Sequence, residues 1–222
     1  IDIAIDREYL GFSGTLSKTQ ISDKLRRAAC SFVRETMQHD LAAQLYQNGI
    51  SKEKFKVNVD ITPVSTTDPE IININYDSVF SVSIDGMDGN QYILPKVKVE
   101  VSGRSMSEPV SEIAIDSMID QVYSKAPFAE QKFMVRAVLP ERTFLEKIFL
   151  LHEEFAKPKD LIRIERMSRH MYDIGQMLKT PIVERAVNDA LLYRQVVEHR
   201  RTFIGLRGFD YDTLYPATLN IV

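Results

Sequence analysis

The sequence contains one cysteine, no long apolar run and no strong excess of either charge. Because Cys30 is the only cysteine among the 222 residues, no intrachain disulfide can form, and a reducing compartment is expected. No stretch approaches the ~18 consecutive apolar residues of a membrane-spanning helix, and the first six residues lack a signal-peptide pattern. These absences predict a cytoplasmic globular protein with no membrane partner.

The net charge of −3 is distributed unevenly. Residues 157–222 contain 11 Lys and Arg against 8 Asp and Glu, whereas residues 1–156 contain 17 against 23. A basic bias of this size is compatible with phosphate contacts. It falls well short of the clustered basic surface of a dedicated nucleic-acid binder.

Hydrophobic periodicity divides the chain into a strand-rich front and a helical rear. Residues 1–6 alternate as in a half-buried strand, and residues 17–48 carry an apolar stripe at helical spacing that ends before Gly49. Further strands are predicted at Phe55–Ile61, Ile71–Tyr76, Val79–Ile84 and Gln91–Val101. After Pro127 the period is helical for most of the remaining chain.

Three helices are predicted in the rear part. The first follows Pro140 and ends at Pro158, the second runs from about Asp160 to Leu178, and the third begins at Thr180–Pro181. The pattern predicts an α+β protein. It places an α+β domain at residues 1–125 and a helical domain at residues 126–222.

Acidic side chains on two predicted strands are candidate ligands for a divalent metal. Asp2 and Asp6 lie opposite the isoleucines of the first strand, and Mg²⁺ prefers such oxygen ligands. Lys96, Lys98 and Glu100 share the face opposite the valines of a later strand. If the two strands are neighbours, Glu100 can join Asp2 around Mg²⁺ and accept a proton from an attacking hydroxyl. The alternatives are a solvated acidic face and a charged edge strand that avoids unwanted pairing.

The rear helices carry candidate phosphate-binding residues. Lys147 projects from the first of them, and its ammonium can act as a point charge on nucleotide phosphates. One face of the second helix carries four polar residues at helical spacing: Arg166, Arg169, His170 and Asp173. The alternatives are a solvated lysine and a surface Arg–Asp pair worth at most ~1 kcal/mol.

Four segments, read in order, resemble the successive motifs of AbiEii/AbiGii-type nucleotidyltransferase toxins. They are Asp2 in Ile-Asp-Ile-Ala-Ile, the run Lys98–Val101, the segment Glu141–Lys147 and the run Arg169–Ile174. The resemblance spans nearly the whole chain. It implies a front domain like that of DNA polymerase β-type nucleotidyltransferases, a mixed sheet with flanking helices, followed by a C-terminal helical bundle. It also implies a toxin of a bacterial toxin–antitoxin or phage-defence system.

The resemblance implies roles for particular residues. Asp2 and Glu100 would bind Mg²⁺, Lys147 would contact phosphate, and Asp173 would assist the active site. Arg166 and Arg169 would lie close to the nucleoside triphosphate or the acceptor, whereas His170 stands where the family often has aspartate. The implied reaction is attack of a hydroxyl on the α-phosphorus, with release of pyrophosphate. The family's Gly-Ser turn and first aspartate are expected upstream of Ile1, and the chain is expected to be inactive without them.

The toxin role implies macromolecular partners and leaves two other classes of function open. The expected partners are a cognate antitoxin and an RNA acceptor. The RNA would dock on Arg194, Arg200, Arg201 and Arg207. One alternative is a non-catalytic nucleotide- or partner-binding protein on the same fold. The other is a structural protein, in which the four candidate catalytic residues do not converge in space.

Overall fold

The computed structural model describes residues 1–60, 69–77, 94–165 and 167–221. The chain forms two compact units, residues 1–106 and 107–222. The domain boundary placed between residues 125 and 126 stays a prediction. The strand predicted at Val79–Ile84 and the candidate residue Arg166 both lie outside the described residues.

The first unit contains a four-stranded mixed sheet in the order β1-β4-β3-β2. Its strands are β1 (Asp2–Ala4), β2 (Phe55–Val59), β3 (Glu70–Tyr76) and β4 (Lys96–Ser102). β1 runs parallel to β4, and the other two pairings are antiparallel. Because β4 lies between β1 and β3, the alternative that its lysines protect an edge strand is wrong.

One uninterrupted helical run crosses the sheet, as predicted for residues 17–48. It alternates π-helical and α-helical segments: Gln20–Leu25, α1 (Arg26–Phe32), Val33–Met37 and α2 (Gln38–Gln47). It ends before Gly49, whose φ of 89° lies in the left-handed region that glycine tolerates best. Val33 packs with Val99 and Val101 in the buried core, so the run covers the valine face of β4. Lys98 and Glu100 therefore lie on the opposite face.

The second unit begins with a two-stranded antiparallel sheet. It comprises β5 (Val110–Ile115) and β6 (Phe133–Val138), with the short helix α3 (Met118–Val122) between them. The expectation of helical structure after Pro127 is therefore wrong over β6. Aromatic and β-branched residues make this six-residue segment a strand former, a local signal that the longer helical stripe after it obscured.

Four α-helices follow β6 in the described part of the second unit, and the π-helical segment Arg200–Ile204 and the 3₁₀ turn Tyr211–Thr213 come after the last of them. The four α-helices are α4 (Pro140–Phe155), α5 (Met167–Met177), α6 (Ile182–Asn188) and α7 (Ala190–His199). α5 begins later than predicted, since only the 3₁₀ turn Lys159–Leu161 precedes it. The predicted third helix is divided at Asp189, whose carboxylate accepts from the Leu191 and Leu192 amides at 3.1 and 2.9 Å and caps α7.

Helix α4 forms the centre of the second unit. It packs against α5, α6 and α7, and Phe144, Leu145 and Phe149 are all at most 2% exposed. The Phe149 ring meets that of Tyr193 on α7 edge to face, with centroids 5.1 Å apart. In the part of the chain that the structure describes, no helix is both long and apolar enough to span a membrane.

Candidate active site

β1 and β4 bring the two predicted metal ligands of the first unit together. The strands pair in parallel with Asp2 opposite Glu100, so both side chains leave the same face of the sheet. Asp2 is exposed, and the Glu100 side chain is 35% exposed. The condition for a shared role, that the two strands are neighbours, is therefore met.

The donor set of this carboxylate pair suits Mg²⁺. Magnesium usually takes one or two protein carboxylates and completes its octahedron with water and substrate phosphates. Asp6 is not part of the pair, because its carboxylate accepts the Glu8 amide at 2.9 Å in the turn after β1. Among the described residues, no three His, Cys, Asp or Glu side chains form a group that could hold a metal.

Lys98 neutralises one of the two carboxylates. Its ammonium donates to Glu100 Oε1 at 2.5 Å, and the two side chains are 39% and 35% exposed. The pairing explains how two acidic residues can occupy directly opposed positions, where like charges are otherwise destabilising.

The same sheet face continues as a row of amide and carboxylate groups that sequence reasoning missed. Asn73 donates to Asp60 Oδ1 at 2.6 Å, and Asn75 donates to Asn58 Oδ1 at 2.7 Å. Asn73 is only 5% exposed, and its Oδ1 is buried without a hydrogen-bond partner in the part of the chain that the structure describes. The alternation of Asn73 and Asn75 with isoleucine in β3 was the sequence signal for this face.

In the second unit, Lys147 on α4 pairs with Asp173 on α5. Its Nζ lies 2.9 Å from Asp173 Oδ2, and the side chains are 22% and 45% exposed. Lys147 is thus largely buried, and the solvated-lysine alternative is wrong. The cationic partner of Asp173 is Lys147 across the helix pair, whereas Arg169 is exposed on α5.

His170 lies beside this ion pair, and its Nδ1 is buried without a hydrogen-bond partner among the described residues. Burial lowers the pKa of the imidazole, and the charges of Lys147 and Arg169 lower it further, with Asp173 acting in the opposite direction. The neutral form is therefore favoured, so His170 adds no full positive charge to the Lys147 region at neutral pH.

Among the described residues of the second unit, Arg142 and Arg200 are the buried arginines, and both have structural partners. Arg142 is 4% exposed. Its Nη1 donates to the Glu108 carbonyl at 3.3 Å, and its Nε lies 3.4 Å from Glu146 Oε1 without hydrogen-bond geometry. Burial lowers the pKa of the Arg142 guanidinium. Arg200 makes two hydrogen bonds, of 2.7 and 2.5 Å, to the buried Glu153 carboxylate. The expectation that Arg200 docks RNA is therefore wrong, because its guanidinium is buried and bound to Glu153.

A mixed sheet with a flanking helical run, followed in the chain by further helices, is the architecture of an α+β protein with a nucleotidyltransferase-like fold. The model of the family described as nucleotidyl transferase AbiEii toxin, type IV toxin–antitoxin system, matches residues 1–220. The chain belongs to this family, which confirms the resemblance. Searches of curated proteins and of solved structures return no significant match.

The structure brings the candidate residues together as two pairs, one within each unit. Asp2 lies opposite Glu100 on the paired strands of the first, and Lys147 forms an ion pair with Asp173 in the second. The catalytic and binding roles of these residues and of Arg169 stay predictions, as does their meeting in one cleft.

Proposed function

We propose that the protein is a Mg²⁺-dependent nucleotidyltransferase toxin that transfers a nucleotide from a nucleoside triphosphate to a hydroxyl of RNA. The observation that supports this most directly is the register of Asp2 against Glu100 in a chain of the AbiEii family. We also propose that it acts in the cytoplasm as the toxin of a toxin–antitoxin or phage-defence system, and that a cognate antitoxin counteracts it.

The proposed reaction gives each pair a distinct task. Asp2 and Glu100 would hold Mg²⁺ from adjacent strands, and Lys147, oriented by Asp173, would bind phosphate oxygens with Arg169 as a second cationic contact. Bound Mg²⁺ would supply charge stabilisation to the phosphates and the attacking oxygen. The acceptor oxygen forms a bond to the α-phosphorus as the bond to pyrophosphate breaks. Glu100 is the candidate acceptor for the hydroxyl proton.

The proposed RNA surface lies on α7 and the residues after it. Arg194, Arg201 and Arg207 are exposed, although Arg201 also donates to Asp212 Oδ1 at 2.6 Å. Phosphate contacts of this kind make affinity fall steeply with salt concentration. Arg194 and Arg207 are therefore the residues whose replacement should weaken RNA capture most.

A second candidate function is nucleotide binding without catalysis. The observation that favours it is the Lys98 ammonium on Glu100, since a carboxylate that stays bound to a lysine is a poor metal ligand and proton acceptor. The two candidates differ in whether binding of a nucleotide leads to transfer.

The decisive experiment uses the full-length protein with Mg²⁺, total bacterial RNA and each α-labelled nucleoside triphosphate in turn. Label on RNA that disappears in Asp2→Asn and persists in Asp6→Asn supports the transferase and identifies its nucleotide. Asp6→Asn is a matched control because asparagine can still accept the Glu8 amide. Nucleotide binding without label transfer, in a folded protein, establishes the binding-only function instead.

A further inference from the structure

Lys98 is placed between two acceptors on the polar face of the sheet. Along β4 it shares a face with Glu100, to which its ammonium donates at 2.5 Å. Across the antiparallel pair it is the register partner of Asn73 on β3. Glu100 accepts from Lys98, whereas the Asn73 side-chain oxygen has no hydrogen-bond partner among the described residues.

The free acceptor is the side-chain oxygen of Asn73. The orientation of this amide is determined by its Nδ2, which donates to Asp60 Oδ1 at 2.6 Å, so Oδ1 points away from Asp60. Asn73 is 5% exposed, and within the described ranges its Oδ1 accepts no hydrogen bond. A buried oxygen left unpaired is destabilising, and folded proteins leave few of them.

Metal binding and the Lys98 contact compete for the same carboxylate. An ammonium on Glu100 reduces the negative charge available to a divalent cation and occupies one of its ligand oxygens. Directly opposed residues of an antiparallel pair have Cβ atoms about 4.5–5.5 Å apart, and the flexible lysine stem spans that gap easily. Asn73 Oδ1 is therefore an acceptor within reach of a displaced Lys98.

We propose that Lys98 is a positioning residue: when a divalent cation binds the carboxylate pair, its ammonium leaves Glu100 and donates to Asn73 Oδ1 instead. Without the cation, Lys98 relieves the repulsion between Asp2 and Glu100. With the cation in place, the ammonium satisfies the buried oxygen of Asn73 and leaves both carboxylates free for the metal. This exchange rests on the proposed metal-dependent function, and it assigns Asn73 a role in loading the site.

The test is Mn²⁺ binding to the full-length protein, followed by electron paramagnetic resonance without nucleotide. Lys98→Met removes the competitor and should tighten binding about two- to fivefold, the range expected for a half-exposed ion pair. Asn73→Ala removes the alternative acceptor and should weaken binding by a similar factor, but have no effect in a Lys98→Met background. The control is Lys96→Met, an exposed lysine on the same face of β4, which should leave the affinity unchanged.

Three outcomes overturn the exchange. The first is Mn²⁺ binding by Lys98→Met that is equal to or weaker than that of the wild type. The second is a loss of affinity from Asn73→Ala that is the same in the wild-type and Lys98→Met proteins. If Asn73→Ala does not fold by circular dichroism, the comparison of Lys98→Met with Lys96→Met decides alone. Wild-type protein that binds no Mn²⁺ at all overturns both the exchange and the metal-dependent function, whereas normal binding with no Lys98 effect overturns only the exchange.

Discussion

Lys147 and Asp173 form an ion pair of 2.9 Å that links α4 to α5 through two residues distant in the sequence. The lysine is the more buried partner, so its ammonium is held at one point instead of moving freely in solvent. An ammonium held in place in this way suits a contact with a phosphate oxygen of the proposed nucleotide substrate.

Nucleotide affinity should depend on Lys147. Replacing it with methionine keeps the apolar stem but removes the charge, and triphosphate binding should weaken about tenfold or more, the loss expected for one charge-assisted contact. Isothermal titration calorimetry measures the change. Lys179→Met is the control, since Lys179 is exposed and donates to Gln176. Equal affinity in wild type and Lys147→Met would show that this lysine does not bind phosphate.

The pKa of His170 should respond to both charges of the Lys147–Asp173 ion pair. Its pKa is lowered first by burial and then by Lys147, whereas Asp173 raises it. Lys147→Met should therefore move the imidazole titration to higher pH, and Asp173→Asn should move it to lower pH, as measured by NMR. Because the pKa of His170 is lower in the folded than in the unfolded protein, folding favours the neutral imidazole. The stability that this contributes is present above the unfolded pKa and is lost as the pH falls through the folded pKa. Shifts of the same sign in the two variants would contradict this electrostatic account.

The buried Glu153–Arg200 pair should be essential for the stability of the second unit. The two side chains are 5% and 10% exposed, so Arg200→Ala leaves a carboxylate buried without its partner. We expect a loss of about 3–5 kcal/mol in the free energy of unfolding, measured with urea. The neighbouring Arg201→Ala breaks an exposed pair, which water screens, and should cost far less than Arg200→Ala. Similar losses in both variants would mean that burial does not determine the contribution.

Cys30 should be unreactive in the folded protein. It is 3% exposed, and burial, reinforced by Glu70, raises the pKa of its thiol to about 12. At pH 8 the thiol remains protonated, and thiolate reagents such as iodoacetamide should label it only as fast as the chain unfolds. Adding urea should accelerate labelling to the rate of a cysteine peptide. Native protein that reacts at the peptide rate without urea would refute the prediction.

Much of the fold follows from apolar spacing, but its irregular features do not. The helical run at residues 20–47 was predictable because its stripe is long, whereas β6 was missed because six residues carry little periodic signal. The break at Asp189 also escaped notice, although aspartate followed by an apolar run is an N-cap signal. In each case a local preference competed with a longer pattern.

The candidate site was predictable in its residue types and only partly in its contacts. Asp2 and Glu100 were selected as carboxylates on polar strand faces, but their shared role depended on a strand pairing between distant segments. Asn73 drew no attention, since an asparagine in a strand is more commonly solvated. Arg200 was assigned to the surface because its partner, Glu153, lies on a different helix.

Sequence patterns alone were enough to predict most of the helices and strands, their polar and apolar faces, and the resemblance to the AbiEii family. The position of β4 inside the sheet, the pairing of Lys147 with Asp173 and the burial of Arg200 became known from the folded structure. Periodicity encodes which way a side chain points, because that direction depends on its neighbours in the sequence. Which group it meets depends on how distant segments pack, and that determines burial, charge pairing and hydrogen bonding.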